Sequence, residues 1–344
     1  MRLASIDWLR GVAVLCMILW HVVDAWTVPA RDPLTFAILG FIGGWAAPLF
    51  LLLTGVSIAL AGDAQLRKGV DRGAASRRLQ KRGWQIFVLA HLFRFQAFLF
   101  NINGRWNAIL KPDILNILGL GMVAGAIAWR RATTPARAVA WLAAPSLVIV
   151  ALLTPLARRW WWPTLLHPRF EAYIRPVGNF GVFSLFPWIA LVLIGVLVGL
   201  ELLKGERGFR TLAAAGLACI AAGVIGMFLP TPFTTTFWAD SMSWFVIRLG
   251  LMLAMMVAAW LWTRRWPAQP GSPLVLLGRT SLFVYWVHVE LAYGALSYPL
   301  HHSLSLTQSL AGFAMLTVLM YLLGTLWHRR SAGPLVPSHM RVAE

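Results

Sequence analysis

Long apolar segments alternate along the chain with short polar connections. A transmembrane helix needs about 20 mainly apolar residues. Segments of roughly that length lie near residues 6–28, 35–61, 83–101, 113–129, 138–156, 181–201, 211–229, 242–262, 274–294 and 307–327. The pattern predicts an all-α, polytopic membrane bundle of about ten transmembrane helices. We expect one domain over residues 1–330, followed by a short cytoplasmic tail at residues 331–344.

The basic residues mark one side of the predicted bundle. Residues 62–82 contain seven basic and two acidic side chains, and every second connection along the chain is also basic. Because short loops rich in Lys and Arg face the cytoplasm, both termini are predicted to be cytoplasmic. Residues 157–180 are the exception, since they place four arginines and three consecutive tryptophans in a predicted outer loop. An interfacial aromatic belt is the expected explanation there.

Composition agrees with a membrane protein and excludes a soluble one. The chain is 59% hydrophobic and 12% charged, and its mean hydropathy is +0.71. A net charge of +18 could suit a nucleic-acid partner, but the basic residues occur in short runs between apolar segments. We therefore expect the lipid bilayer, and no nucleic acid, as the partner of these charges.

The first apolar segment carries four ionisable side chains, Asp7, Arg10, His21 and Asp24. At about 100° per residue, all four fall within an arc of roughly 100° on one helix. A charged side chain at the bilayer centre costs about 2.5–3.5 kcal/mol on insertion scales, so this stripe needs partners or a use. The alternative is that both pairs reach the headgroup regions at the two ends of the helix.

Polar residues also lie in the predicted outer halves of other segments. They are His91 and Arg94 in the third, Asp113 and Asn116 in the fourth, and Ser281, Tyr285 and His288, which share a helical face, in the ninth. Since lipid offers no hydrogen-bond partner, we expect a polar site that opens outward. A structural network between helices is the alternative, in which Asp113 is a helix N-cap and His288 an anchor.

Nothing in the sequence indicates a metal site. The histidines are dispersed, no H-E-x-x-H motif occurs, and Cys16 and Cys219 both lie in apolar segments.

Six motifs follow one another between about residues 3 and 290. They are Ser5-Ile6-Asp7-x-x-Arg10-Gly11 with His21, Ala47-Pro48-Leu49-Phe50 with Thr54-Gly55, Arg77-Arg78-x-x-x-Arg82-Gly83, Asp113-Ile114-Leu115-Asn116, Phe186-Pro187-Trp188, and Leu277-Gly278-Arg279-x-Ser281-Leu282 with Tyr285 and His288. Together they resemble the catalytic domain of the heparan-alpha-glucosaminide N-acetyltransferase family and its bacterial relatives, within the transmembrane acyltransferase superfamily.

The resemblance implies an enzyme that takes an acyl group from cytoplasmic acyl-CoA, with acetyl-CoA expected, and delivers it to a sugar amine or hydroxyl at the outer face. No metal is expected, because the histidines are dispersed, and a bacterial inner membrane is the expected location. Substrate or cofactor contacts are expected from Asp7, Arg10, Arg78, Arg82, Arg94, Asp113, Asn116, Arg279, Ser281 and Tyr285. The oligomeric state is left open between monomer and homodimer.

For the chemistry, His21, Asp24 and His288 are the predicted catalytic residues. We expect His21 to be the general base, because its unperturbed pKa of about 6.5 suits proton removal at neutral pH, and Asp24 to orient it. A covalent acyl-histidine is the alternative route. The match of His21 is to the bacterial O-acyltransferase pattern, since the histidine of the lysosomal branch lies farther along its chain.

Two other functions compete with the enzyme. A transporter of a small polar or lipid-linked substrate also places charged residues inside helices, although the inverted repeat common in transporters is not evident here. An assembly partner without activity would keep its function after His21→Ala.

Overall fold

The computed structural model describes residues 3–29, 32–100, 109–178, 183–229, 241–267 and 272–331, and within these ranges the chain is helical, without a β-strand. The helices are α1 (Ala4–Trp26), α2 (Pro33–Gly43), α3 (Ala46–Leu66), α4 (Arg72–Phe100), α5 (Ile114–Arg131), α6 (Pro135–Arg159), α7 (Pro168–Ile174), α8 (Leu185–Leu202), α9 (Glu206–Gly226), α10 (Met242–Arg265), α11 (Pro273–Arg279), α12 (Ser281–Tyr293) and α13 (Leu306–Ser331). The predicted all-α class is confirmed. The predicted tail lies almost wholly outside the described residues.

The described helices include nine candidate membrane spans, or ten when a bent pair is counted as one span. The bent pair is α11 and α12, which meet at an angle of 87°. Each predicted segment corresponds to one of these spans, so the multi-pass architecture is confirmed. The third span begins at Arg72 rather than near residue 83. The cytoplasmic placement of the termini stays a prediction.

Contacts within the chain divide it into two compact units. The larger unit comprises Met1–Ile6 and Ala47–Pro267, and the smaller unit comprises Asp7–Ala46 and Ala268–Glu344. The interpretation as one domain stays a prediction, and the two units are described separately.

Close glycine contacts pack the helices of the larger unit. An added Cβ at Gly55 of α3 would lie 2.1 Å from the Val192 carbonyl oxygen, and one at Gly195 of α8 would lie 2.2 Å from the Leu52 carbonyl oxygen. Without a hydrophobic driving force between helices in lipid, small residues that allow such approach are what hold a bundle together. The α3–α8 packing therefore needs glycine at both positions.

Arg72, the first residue of α4, binds the C-terminal end of α5. Its guanidinium donates to the carbonyl oxygens of Trp129 (2.7 Å), Arg130 (3.2 Å) and Ala132 (3.3 Å), and lies 4.3 Å from the centre of the Trp129 ring. These carbonyls are at the C-terminal end of α5, where they lack intrahelical partners and where a cation is favourable. One residue of the basic segment is thus a structural cap.

Arg175 organises the loop that follows α6. It donates to the Glu171 carboxylate (2.7 Å) and to the carbonyl oxygens of Arg158 (3.3 Å) and Trp160 (2.6 Å) at the end of α6. Helix α7 is thereby fixed to α6. Trp161 and Trp162 of this loop are exposed and Trp160 is half-buried, as an interfacial belt requires.

In the smaller unit, α1 packs against α2 and α12. Gly43 of α2 lies against Trp20, since an added Cβ there would be 2.3 Å from the Trp20 Cβ. At the far end of α1, the Trp26 indole donates to the Ala292 carbonyl oxygen (2.9 Å). These contacts fix the half of α1 that carries His21.

Candidate functional site

His21 of α1 and His288 of α12 form a hydrogen-bonded pair in the smaller unit. His21 Nδ1 lies 2.8 Å from His288 Nε2, and the two rings are nearly parallel, with centroids 5.1 Å apart. His288 is fully buried, whereas His21 is partly exposed. The Nδ1 atom of His288 lies 2.6 Å from the Val284 carbonyl oxygen, one turn earlier on the same helix. Both predicted histidines therefore belong to one centre.

The partners of the pair determine where its protons are when both rings are neutral. A carbonyl oxygen only accepts, so His288 Nδ1 carries a hydrogen and donates it to Val284. His288 Nε2 is then an acceptor, which requires His21 Nδ1 to be the donor. The Nε2 atom of His21 consequently keeps its lone pair, and among the described residues it has no hydrogen-bond partner. This nitrogen is the basic atom of the centre.

Asp24 makes no hydrogen bond to His21 among the described residues, and its predicted role of orienting that ring stays a prediction. Its carboxylate instead accepts a hydrogen bond of 2.7 Å from the Tyr293 hydroxyl. The Tyr293 ring packs edge-on against His21, with centroids 5.5 Å apart. Sequence reasoning missed Tyr293, although an aspartate inside an apolar helix signals that some donor must face it.

Ser281 and Tyr285, predicted on the same face of α12 as His288, lie at different distances from that histidine. Tyr285 is buried with its ring centre 6.0 Å from that of His288. Ser281 is the first residue of α12, at the bend, about 10 Å along the helix from His288. Of these two residues, Tyr285 therefore contributes to the surroundings of the histidine pair and Ser281 does not.

Asp7 joins two arginines at the other end of α1. Its buried carboxylate lies 3.3 Å from Arg10 Nη1 and 3.2 Å from Arg279 Nε. Two glycines allow this arrangement: an added Cβ at Gly11 would lie 2.0 Å from the Leu274 carbonyl oxygen, and one at Gly278 would lie 1.9 Å from that of Asp7. Helix α11 thus meets α1 backbone to backbone, which brings Arg279 to Asp7.

Gly278→Ala is therefore expected to destabilise the smaller unit. The added methyl group cannot fit 1.9 Å from the Asp7 carbonyl oxygen, so α11 must move away and the Arg279–Asp7 ion pair must lengthen. We expect a cost of about 1–3 kcal/mol, measured as a lower midpoint of thermal unfolding in detergent. Gly44→Ala is the matched control, because its nearest neighbour would be at 3.1 Å. Equal midpoints for the two variants would contradict the backbone contact.

A second polar centre lies in the larger unit, and we name it the Arg94 centre. Its members are His91, Arg94, Lys111, Asp113, Asn116 and Tyr173. Arg94 Nη2 pairs with the Asp113 carboxylate at 3.1 Å. His91 Nε2 lies 3.2 Å from Asn116 Nδ2 and 3.4 Å from the Tyr173 hydroxyl.

Asp113 and Asn116 form a capping box at the start of α5. The Asp113 carboxylate accepts a hydrogen bond from the Ile114 N–H (2.5 Å), and the side-chain oxygen of Asn116, Oδ1, accepts one from the Asp113 N–H (2.9 Å). The helix N-cap role named as the alternative for Asp113 is thus present, together with its ion pair to Arg94. Sequence reasoning placed His91, Arg94, Asp113 and Asn116 in one outer region but missed Lys111 and Tyr173.

Two pKa values outside the spans reflect the charges of this centre. Burial, together with the nearby Arg94, lowers the pKa of Lys111. Burial, together with the negative charge of Asp113, raises the pKa of Tyr173 to about 12. Tyr173 therefore stays a neutral phenol and a hydrogen-bond donor at physiological pH.

Arg78 and Arg82 belong to neither centre. Both are exposed on α4, and Arg78 Nη1 lies 3.4 Å from Gln65 Oε1. Their predicted contact with a cofactor stays a prediction.

Comparison with known proteins gives the family. No curated protein matches the chain. The model of the family "heparan-alpha-glucosaminide N-acetyltransferase, catalytic" matches residues 2–226, which include the stripe on α1 and the Arg94 centre, whereas His288 and Tyr293 lie beyond the matched range. Because the match covers more than half of 344 residues, the chain belongs to the heparan-alpha-glucosaminide N-acetyltransferase catalytic family.

Proposed function

We propose that this membrane acetyltransferase-family protein moves an acetyl or other short acyl group from acyl-CoA on the cytoplasmic side to an amine or hydroxyl of a sugar-like acceptor at the outer face. Family membership supports a transferase. The observation that carries the proposal further is the His21–His288 pair, which leaves a basic nitrogen on a partly exposed histidine inside a membrane span.

The reaction needs one proton acceptor and one leaving group. The acceptor amine or hydroxyl attacks the thioester carbonyl, and His21 Nε2 takes the proton that the acceptor loses. The C–S bond then breaks, and the coenzyme A thiolate leaves and takes up the proton from His21. No metal ion is needed for these steps.

The role of His288 is to position His21 and to stabilise its charged form. The hydrogen bond from His21 Nδ1 holds the ring so that Nε2 faces away from His288. When Nε2 is protonated, His21 becomes an imidazolium whose Nδ1–H donates more strongly to His288. Asp24, one turn further along α1, adds a negative charge on the same helix.

The donor side is assigned to the two arginines that pair with Asp7, one on α1 and one at the end of α11. Arg10 and Arg279 bring two positive charges to the single negative charge of Asp7. The excess positive charge, on side chains that are partly exposed, suits the phosphates of coenzyme A. Arg78 and Arg82 are assigned a secondary, electrostatic contribution.

His288→Ala is expected to lower kcat by about 10²-fold with little change in the KM for acetyl-CoA, because the His21 ring loses the contact that orients it. His288→Gln should recover part of the rate, since its amide oxygen can accept from His21 Nδ1. Steady-state kinetics of purified protein in detergent measure both quantities. A fall in kcat that is equal for alanine and glutamine would contradict a positioning role.

Sidedness is tested in proteoliposomes that enclose glucosamine, with acetyl-CoA added outside. The proposal predicts acetylated glucosamine in the lumen and coenzyme A outside, both dependent on protein. Uptake of a solute that needs an ion gradient and no acetyl-CoA would instead establish the transporter. Product formed only when both substrates are on the same side would contradict transfer across the membrane.

A further inference from the structure

The Arg94 centre has its acceptors occupied. His91 Nδ1 lies 3.3 Å from the Ile109 carbonyl oxygen and must donate to it, so His91 Nε2 has one lone pair to offer. Asn116 Nδ2 at 3.2 Å fills that lone pair in preference to the Tyr173 hydroxyl at 3.4 Å. The Asn116 carbonyl oxygen accepts from the Asp113 backbone, and the Asp113 carboxylate accepts from Ile114 and Arg94. A ligand that brought further donors would find little to bind.

The same centre has donors to spare. Arg94 Nε is buried and lacks a hydrogen-bond partner in the described ranges. The Lys111 ammonium, partly buried beside Arg94 and Asp113, makes no hydrogen bond or ion pair within those ranges. Among the described residues, the Tyr173 hydroxyl has one polar contact, at 3.4 Å from His91 Nε2, whose lone pair Asn116 already fills. A buried donor left without a partner costs about 1–3 kcal/mol, so these groups favour an acceptor ligand.

The charges point the same way. Arg94 and Lys111 carry two positive charges, Asp113 carries one negative charge, and His91 as bonded here is neutral. One positive charge in excess, with three donors from three separate side chains, matches an anion that offers several oxygens. A phosphate group has this form, whereas a neutral sugar hydroxyl does not need the excess charge.

We propose that the Arg94 centre binds the phosphate group of a substrate, held by Arg94, Lys111 and Tyr173. This inference rests on the proposed function only in treating the ligand as a substrate, since the centre itself is argued within the larger unit. The phosphate comes from a phosphorylated sugar acceptor if Arg10 and Arg279 hold coenzyme A as proposed above, and from coenzyme A itself if they do not. Both sources share the same recognition chemistry, and binding measurements separate them.

The test is equilibrium binding of glucose 6-phosphate, glucose and coenzyme A to the purified full chain in detergent. We expect glucose 6-phosphate to bind and glucose not to bind, and Lys111→Gln to weaken phosphate binding by about tenfold. Lys68→Gln, which removes an exposed lysine from the α3–α4 connection, is the matched control and should leave binding unchanged. If Lys111→Gln loses only glucose 6-phosphate binding, the centre binds the acceptor. If the same variant loses only coenzyme A binding, the centre binds the donor.

Two results together would overturn the proposal. Glucose and glucose 6-phosphate would bind equally well, and Lys111→Gln would leave coenzyme A binding unchanged. The outcome is independent of transferase activity, because His21→Ala changes a residue of the other unit and should keep phosphate binding. Phosphate binding in a protein that transfers no acetyl group would contradict the proposed function and leave the phosphate site standing.

Discussion

Replacing His21 with alanine is expected to lower the rate of acetyl transfer by about 10²–10⁴-fold, the range that a positioned general base supplies. The variant loses the Nε2 lone pair of His21, which is the basic atom of the pair. Its loss releases the Nε2 atom of His288, but that ring is fully buried and hydrogen-bonded to the Val284 carbonyl oxygen, so it does not take the place of the partly exposed His21. Binding of acetyl-CoA should be retained.

His328→Ala is the matched control for this prediction. His328 is exposed near the C-terminal end of α13, and its replacement should leave transfer unchanged. Rates are measured with radiolabelled acetyl-CoA under single turnover, and binding is measured on the same samples. If His21→Ala transferred acetyl groups at the wild-type rate, the histidine pair would be structural only.

Asp7→Ala should cause the largest loss of stability among the ion pairs of the smaller unit. Removal of one partner of a fully buried ion pair costs about 3–5 kcal/mol. The expected cost here is about 2–3 kcal/mol, because the Arg10 and Arg279 side chains are 20% and 35% exposed and water screens their charges. The midpoint of thermal unfolding in detergent measures the loss. Acetyl-CoA binding should weaken as well, since both arginines lose the carboxylate that orients them.

Two comparisons make this prediction specific. Asp63→Ala breaks an exposed pair with Arg67 and should cost less than about 1 kcal/mol. Adding Arg279→Gln to Asp7→Ala should restore part of the midpoint, because it removes one of the two uncompensated charges. A midpoint that the second substitution lowers further would show that Arg279 is held by something other than Asp7.

The spans were predictable because hydropathy is a local property and each helix satisfies its own backbone in lipid. The bends and irregular turns within these spans could not be predicted from hydropathy. The bend at Thr280 lies within a segment of spanning length whose mean hydropathy is apolar, so composition alone predicts α11 and α12 as one helix. In α6, π-helical segments at Val139–Ala143 and Ile149–Leu153 precede Pro145 and Pro155, whose missing N–H groups loosen the helix without changing its hydropathy.

The site was predictable where it depends on one helix and less so where it depends on two. The stripe on α1 and the motif around His288 each pointed to a histidine, but only the fold joins residues 267 positions apart. Asp24 was paired with His21 because the i, i+3 spacing permits it. The Tyr293 hydroxyl reaches Asp24 instead, and no local pattern in the sequence predicts that contact.

The Arg94 centre shows the same limit. Residues 157–180 were interpreted as an interfacial loop, yet the short helix α7 carries Tyr173 from this loop to His91. The ion pair and the backbone hydrogen bonds of Arg175 hold α7 in place. The tryptophans of this loop indicate contact with lipid, whereas one tyrosine connects it to the polar centre. The composition of the loop reveals the tryptophans and not the contact of that tyrosine.

The most direct test of the acyltransferase assignment is the acceptor-dependent release of coenzyme A thiol from acetyl-CoA by the purified wild-type protein. The account predicts one thiol for each acetylated acceptor, with glucosamine as the first acceptor and glucose as its counterpart without the amine, and neither product from His21→Ala. Absence of thiol release with every amine and hydroxyl acceptor, from a protein that still binds acetyl-CoA, would contradict it.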